Sequence, residues 1–158
     1  MNEAVKKGLG FGVTSAIITT LGLIVGIHSG TDLRGAVIGA ILVIAFADSL
    51  ADSLGIYFSE RSQQNSKKSE PFIAMLTAFG GKFIFALTFI IPILVFSSLH
   101  TAIITDLLYG LILLTIFSYF SAKSKKENAF STIVFYVLLA SVVITASHFI
   151  GAWVSSIT

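Results

Sequence analysis

Gly35-Ala36-Val37-Ile38-Gly39-Ala40-Ile41-Leu42-Val43-Ile44-Ala45-Phe46-Ala47-Asp48-Ser49-Leu50-Ala51-Asp52-Ser53-Leu54-Gly55-Ile56-Tyr57 decides the fold. It is long enough to cross a bilayer core, which takes roughly 20 mostly apolar residues as a helix. Its only ionisable groups before the closing tyrosine are two aspartates four residues apart, one turn from each other on a single helical face. Similar apolar windows recur along the chain, giving expected spans near 9–28, 35–57, 72–98, 101–121 and 129–156. The polar segment 59–70 is then a short loop between the second and third spans, and the whole chain 1–158 is one transmembrane domain.

Composition agrees. Hydrophobic residues make up 55% of the 158 and charged residues 11%, against about 25% charged in soluble domains. The fold class expected is an all-α integral membrane protein of five helices. Basic residues set its orientation, because positively charged loops stay cytoplasmic. Lys6, Lys7, Arg61, Lys67, Lys68, Lys82, Lys123, Lys125 and Lys126 fall on one side of a five-span arrangement and Arg34 on the other, which puts the N-terminus in the cytoplasm and the C-terminus outside. The first apolar stretch is longer than a secretory signal core and is read as a retained span. Short connectors are compatible with a prokaryotic plasma membrane.

Two details shape the third span. Pro71 suits the first turn of a helix, and Pro92 kinks the span deeper in. Gly80-Gly81-Lys82 interrupts the window, so its first part is expected to lie at the interface with Lys82 snorkelling to the headgroups. The pairs Gly22/Gly26 and Gly35/Gly39 have the spacing that lets helix backbones approach, either within the chain or across a homodimer seam.

The chemistry lies in Asp48 and Asp52. On insertion scales each mid-span Asp costs about 2.5 to 3.5 kcal/mol, and like charges one turn apart repel. With Lys82 placed at the headgroups, no lysine or arginine is expected at matching depth. Compensation must then come from proton sharing, a watery cavity or a bound cation. A divalent ion would displace protons from such a pair, because its ligands must be deprotonated. Metal and proton would compete, as proton-coupled exchange requires. Oxygen ligands suit hard or borderline ions such as Mn²⁺, Fe²⁺, Mg²⁺ or Ca²⁺. Ser49 and Ser53 flank the pair, Ser15 and Thr19 lie at similar depth in the first span, and Glu60 stands at the cytoplasmic mouth as an end charge or an ion collector. These five residues are the candidate ion pathway.

Other groups carry less. His28, His100 and His148 are separated in sequence, and Asp106 is close enough to the outer loop to be wet. With no cysteine, thiolate metal sites and disulfides are excluded. No basic run is long or aromatic-rich enough for nucleic acid. An intramembrane aspartyl protease brings its carboxylates from different helices, so both on one helix argues against an enzyme.

The run from Ala47-Asp48-Ser49-Leu50-Ala51-Asp52 to Ser59-Glu60-Arg61-Ser62 resembles the second-span signature of the vacuolar iron transporter family. Leu23-Ile24-Val25-Gly26-Ile27, the Pro92 span and Ile150-Gly151 are similar in order and spacing. The resemblance implies a five-helix homodimer with a pathway between first spans, exporting Fe²⁺ or Mn²⁺ from the cytosol in exchange for protons. The metal ion is substrate, with no permanently bound cofactor, and the partners implied are lipid, a second copy, metal ions and protons. Asp48 matches an acidic or polar position of that signature. Asp52 stands where a methionine ligand is usual, and Ser15 where the first span usually has an aspartate. The glutamate-rich metal-binding insertion common after the second span is replaced by the short 59–70 loop. The alternative is a non-transporting membrane scaffold or assembly subunit whose aspartates only hydrogen-bond between helices.

Overall fold

A computed structural model describes residues 3–63 and 70–157. Half of the expected 59–70 loop, residues 64–69, lies outside them, and its first three residues belong to a helix. Among the described residues the chain is all helical: α1 (Glu3–Thr31), α2 (Arg34–Val43), a five-residue π-helical turn (Ile44–Asp48), α3 (Ser49–Arg61), α4 (Glu70–Thr88), α5 (Ile90–Val95), α6 (Leu99–Lys125) and α7 (Ala129–Ile157). The run from α2 through the π turn to α3 is one span, and α4 with α5 is another. Together with α1, α6 and α7 they make five helical rods long and apolar enough to cross a membrane, as expected of an integral membrane protein.

The third span breaks where proline chemistry requires. Pro92 has no N–H to give the carbonyl of Thr88, so α4 ends there and α5 restarts at Ile90. Carbonyls at and beyond the end of α5 find a donor across the bundle. Arg34 Nη1 donates to the Ile93 carbonyl at 2.7 Å and Nη2 to that of Ser97 at 2.6 Å. Pro71 lies in the first turn of α4.

Gly80 and Gly81 do not interrupt that helix, contrary to the expectation of an interfacial segment there. α4 runs unbroken from Glu70 to Thr88, with Gly81 packed beside Leu9 and Val13 of α1. α1 is the axis of the bundle, its buried residues running from Ala4 to Val25 against α4, α6 and α7. Ile17, Leu21, Ile24, Val37, Ile41, Phe89, Ile93 and Leu114 are fully buried around it.

Small residues decide how close the helices come. A Cβ at Gly8 or Gly12 would overlap the Ala74 or Ala78 carbonyl of α4, and one at Gly151 would overlap the Gly26 carbonyl of α1. Gly22, Gly26 and Gly30 all face α7, so the first of the two small-residue pairs packs within the chain. Gly35 and Gly39 meet nothing within 4 Å. The expected consequence is that Gly12→Ala and Gly151→Ala each lower stability by about 1–3 kcal/mol through overpacking. Gly39→Ala, with free space and better helix propensity, does not. Thermal unfolding of the three purified variants in one detergent checks this.

Candidate functional site

The acid pair, Ser15 and Lys82 converge from three helical rods. Ser15 lies twelve residues into α1 and Lys82 twelve residues into α4, each about 18 Å from the first residue of its helix by the helical rise. α1 and α4 run side by side in the same direction, as the seating of Gly8 and Gly12 on Ala74 and Ala78 shows. The two side chains therefore meet at one level, deep in the apolar length. Asp48 and Asp52 reach that level from the second rod, nine or more residues before Arg61.

Lys82 is only 1% exposed, and its ammonium has three hydrogens and no lone pair. All three find partners. Nζ is ion-paired to Asp48 Oδ2, lies 2.5 Å from Asp52 Oδ2 and donates to Ser15 Oγ at 3.0 Å. Ser15 Oγ in turn donates to Asp52 Oδ2 at 2.7 Å. The expectation of acids without a basic counterpart is thus overturned. Lys82 does not snorkel to the headgroups, because an unbroken α4 carries it inward and two carboxylates there replace its water. The acids are less enclosed than the lysine, Asp48 keeping 39% and Asp52 28% of its side-chain surface exposed.

The π turn sets how this face is presented. Ser49 N–H bonds to the Ile44 carbonyl, five residues back, so the turn holds one residue more than a normal one. The face that follows is rotated by about 100° relative to a continuous α-helix. π turns of this kind occur often at functional sites. Nothing in Ile44-Ala45-Phe46-Ala47 announces it, since these residues suit either geometry.

The remaining candidates divide. Ser49 and Ser53 are buried, but their hydroxyls donate to Ile44 and Leu50 carbonyls of their own rod at 3.4 and 2.8 Å. Thr19 donates to the Ser15 carbonyl at 2.8 Å and lines an apolar groove of about 480 Å³ between α1, the π turn and α7. Glu60 is 8% exposed, and Lys7 Nζ pairs with its Oε2 at 3.2 Å, tying α1 to α3 at the basic end. It is a buried, paired group rather than a solvated end charge. Only Ser15 among the five directly joins the acids.

Three further groups were hidden from sequence spacing. Asp106, expected to be wet, is fully buried, because the face of α6 that carries it packs inward beside Ala102 and Ile103. His28 and His100, distant in sequence, bring their rings to 6.0 Å at the end away from the lysines, where His28 Nδ1 also lies 2.9 Å from Asp32. His148 Nδ1 is 2.7 Å from Ser29 Oγ. Among the described residues, no three His, Cys, Asp or Glu side chains gather into a ready-made metal cage. The chain matches no protein-family model and no curated protein.

The lysine's place in the cluster has a measurable consequence. Removing one partner of a buried ion pair typically costs 3–5 kcal/mol, because the other charge is left uncompensated. Lys82→Met is expected to destabilise the protein by about 3 kcal/mol or more. Adding Asp52→Asn to Lys82→Met recovers part of that loss, as coupled neighbours do. A double-mutant cycle on detergent-solubilised protein, followed by thermal unfolding, measures both; strictly additive losses would separate Lys82 from Asp52 energetically.

Proposed function

We propose that this protein moves divalent transition-metal ions of the Fe²⁺/Mn²⁺ class across the membrane in exchange for protons, at the cluster of Asp48, Asp52, Ser15 and Lys82. One observation supports the reading above others: two carboxylates and a hydroxyl already surround a cation, the Lys82 ammonium, deep in the apolar length. A pocket of oxygen donors that holds an ammonium has the charge and ligand type a divalent ion needs.

Charge arithmetic then suggests the cycle. Two carboxylates and one ammonium sum to −1. An entering divalent ion takes the carboxylates, and Lys82 must withdraw or give up its proton, since two cations cannot share one ligand set. When the metal leaves, the Lys82 ammonium together with one proton, or two protons on the acids, restore neutrality. Metal and proton occupancy alternate, and Lys82 keeps the empty site from standing as bare paired acids in oil.

The resemblance to the vacuolar iron transporter family fits this cycle and adds direction: export from the cytosol, with the N-terminus inside, where the basic end of the bundle would lie by the positive-inside rule. It also suggests a homodimer. A second copy would cover the open Gly35/Gly39 face and the exposed part of Asp48. A prokaryotic plasma membrane suits such a short form.

The competing reading is a non-transporting scaffold, favoured by the full satisfaction of Lys82's three donors. Flux separates the two. In reconstituted vesicles Asp48→Asn and Asp52→Asn are each expected to reduce Mn²⁺ or Fe²⁺ uptake at least about tenfold, the equivalent of about 1.4 kcal/mol. Folded variants that carry metal at the unmodified rate, or an unmodified protein that carries none, would leave the scaffold reading in place.

A further inference from the structure

Asp106 is the acid that the Lys82 cluster leaves out. It lies seven residues into α6, about 10 Å from the start of that helix, and is fully buried. Among the described residues neither of its carboxylate oxygens has a hydrogen-bond partner. Contacts on both sides fix its surroundings. Towards one end, His100 packs its ring on His28 of α1. Towards the other, a Cβ at Gly110 would come within 2.7 Å of Leu21 of α1. The turn of α6 between them, which carries Asp106, is therefore held against α1 in the half of the bundle away from the lysines.

No positive group reaches it. The ionisable groups on the elements around α6 are His28 on α1, Glu70 and Lys82 on α4, Tyr136 and His148 on α7, none on α5, and His100, Tyr109, Tyr119, Lys123 and Lys125 on α6 itself. Of these, Tyr119, Lys123 and Lys125 lie 13 or more residues along the helix from Asp106, and Glu70 is at the start of α4. Glu3, Lys6 and Lys7 of α1 stand at the far end. Lys82 is committed to Asp48 and Asp52, and His148 to Ser29. Tyr109, one turn from Asp106, donates to Thr88 Oγ1 at 3.1 Å. Thr20, next to Leu21, is fully buried and its hydroxyl is likewise without a partner.

An ionised carboxylate in such a place lacks water, counter-ion and hydrogen-bond donors together, which no folded helix bundle tolerates well. A neutral carboxylic acid loses far less there. We propose that Asp106 is a proton-binding site: the fold encloses it as the neutral acid, and it passes on the protons that alternate with metal at the Lys82 cluster. The holding of the proton stands on the geometry alone. Its use in exchange rests on the transport reading above, with the metal at one level of the bundle and the proton at another.

Infrared spectroscopy of the purified protein tests the first part without any transport assay. The chain has four aspartates, Asp32, Asp48, Asp52 and Asp106. Protein labelled with ¹³C at the aspartate side-chain carboxyl is expected to show an isotope-shifted protonated-carboxyl C=O band at neutral pH. The band should survive Asp32→Asn, Asp48→Asn and Asp52→Asn individually and vanish in Asp106→Asn. Absence of the band in the unsubstituted protein, or its loss with one of the other three, overturns the assignment, even where Asp106→Asn does not fold. The second part is read in vesicles. Asp106→Asn should bind Mn²⁺ as the unsubstituted protein does, yet lose at least tenfold in Mn²⁺-driven proton movement. Unchanged proton movement in that variant overturns the coupling role. A band assigned to Asp106 in a protein that moves no Mn²⁺ would leave the proton site standing and remove the transport reading.

Discussion

The Lys82 ammonium is the contact that the middle of this bundle depends on. It joins the second and third rods and α1 at a single point by charge rather than by shape. Burying a lysine among apolar helices is unfavourable unless each of its donors is met, and a pair of acids one turn apart is unfavourable unless something positive stands between them. Each group removes the other's difficulty. The π turn belongs to the same solution, since it sets the phase of the acid-bearing face where α3 begins.

Around that contact the packing is a matter of small residues. Gly8 and Gly12 let α4 lie on α1 backbone to backbone, and only at that separation do Ser15 and Lys82 come within hydrogen-bond distance. Gly22, Gly26, Gly30 and Gly151 do the same for α7, which has few other buried residues. In lipid there is no hydrophobic drive to bring apolar helices together, so close van der Waals contact of this kind carries much of the association. The site's geometry is inherited from glycines that never touch it.

Much of this was legible in the sequence. Five apolar windows gave five rods, and Pro71 and Pro92 marked a start and a break that the structure reproduces. Ser15 was placed opposite the acids by depth alone. Lys82 differs from its expected place because Gly80-Gly81 in a span signals close packing as readily as interruption. Counting from Pro71 would have set Lys82 as deep as Ser15 is in α1. Asp106 departs from expectation for a related reason. Distance from a helix end measures depth along the span, but not whether the side chain turns inward. The π turn had no signal at all, because its register depends on where hydrogen bonds fall and not on residue type.

Asp52 and Asp106 show how one side chain takes on different properties from its surroundings. Asp52 is partly exposed, accepts from a lysine and a serine, and its charge is matched by a group that can move away on a flexible four-carbon stem. Asp106 is sealed, with nothing positive near it and no donor aimed at it. A carboxylate of the first kind can trade one cation for another while staying ionised. A carboxyl of the second kind can change state only by gaining or losing a proton, since no larger cation has ligands there. This bundle keeps both kinds, one in each half of its length, and the proposed exchange of metal for protons would draw on the difference between them.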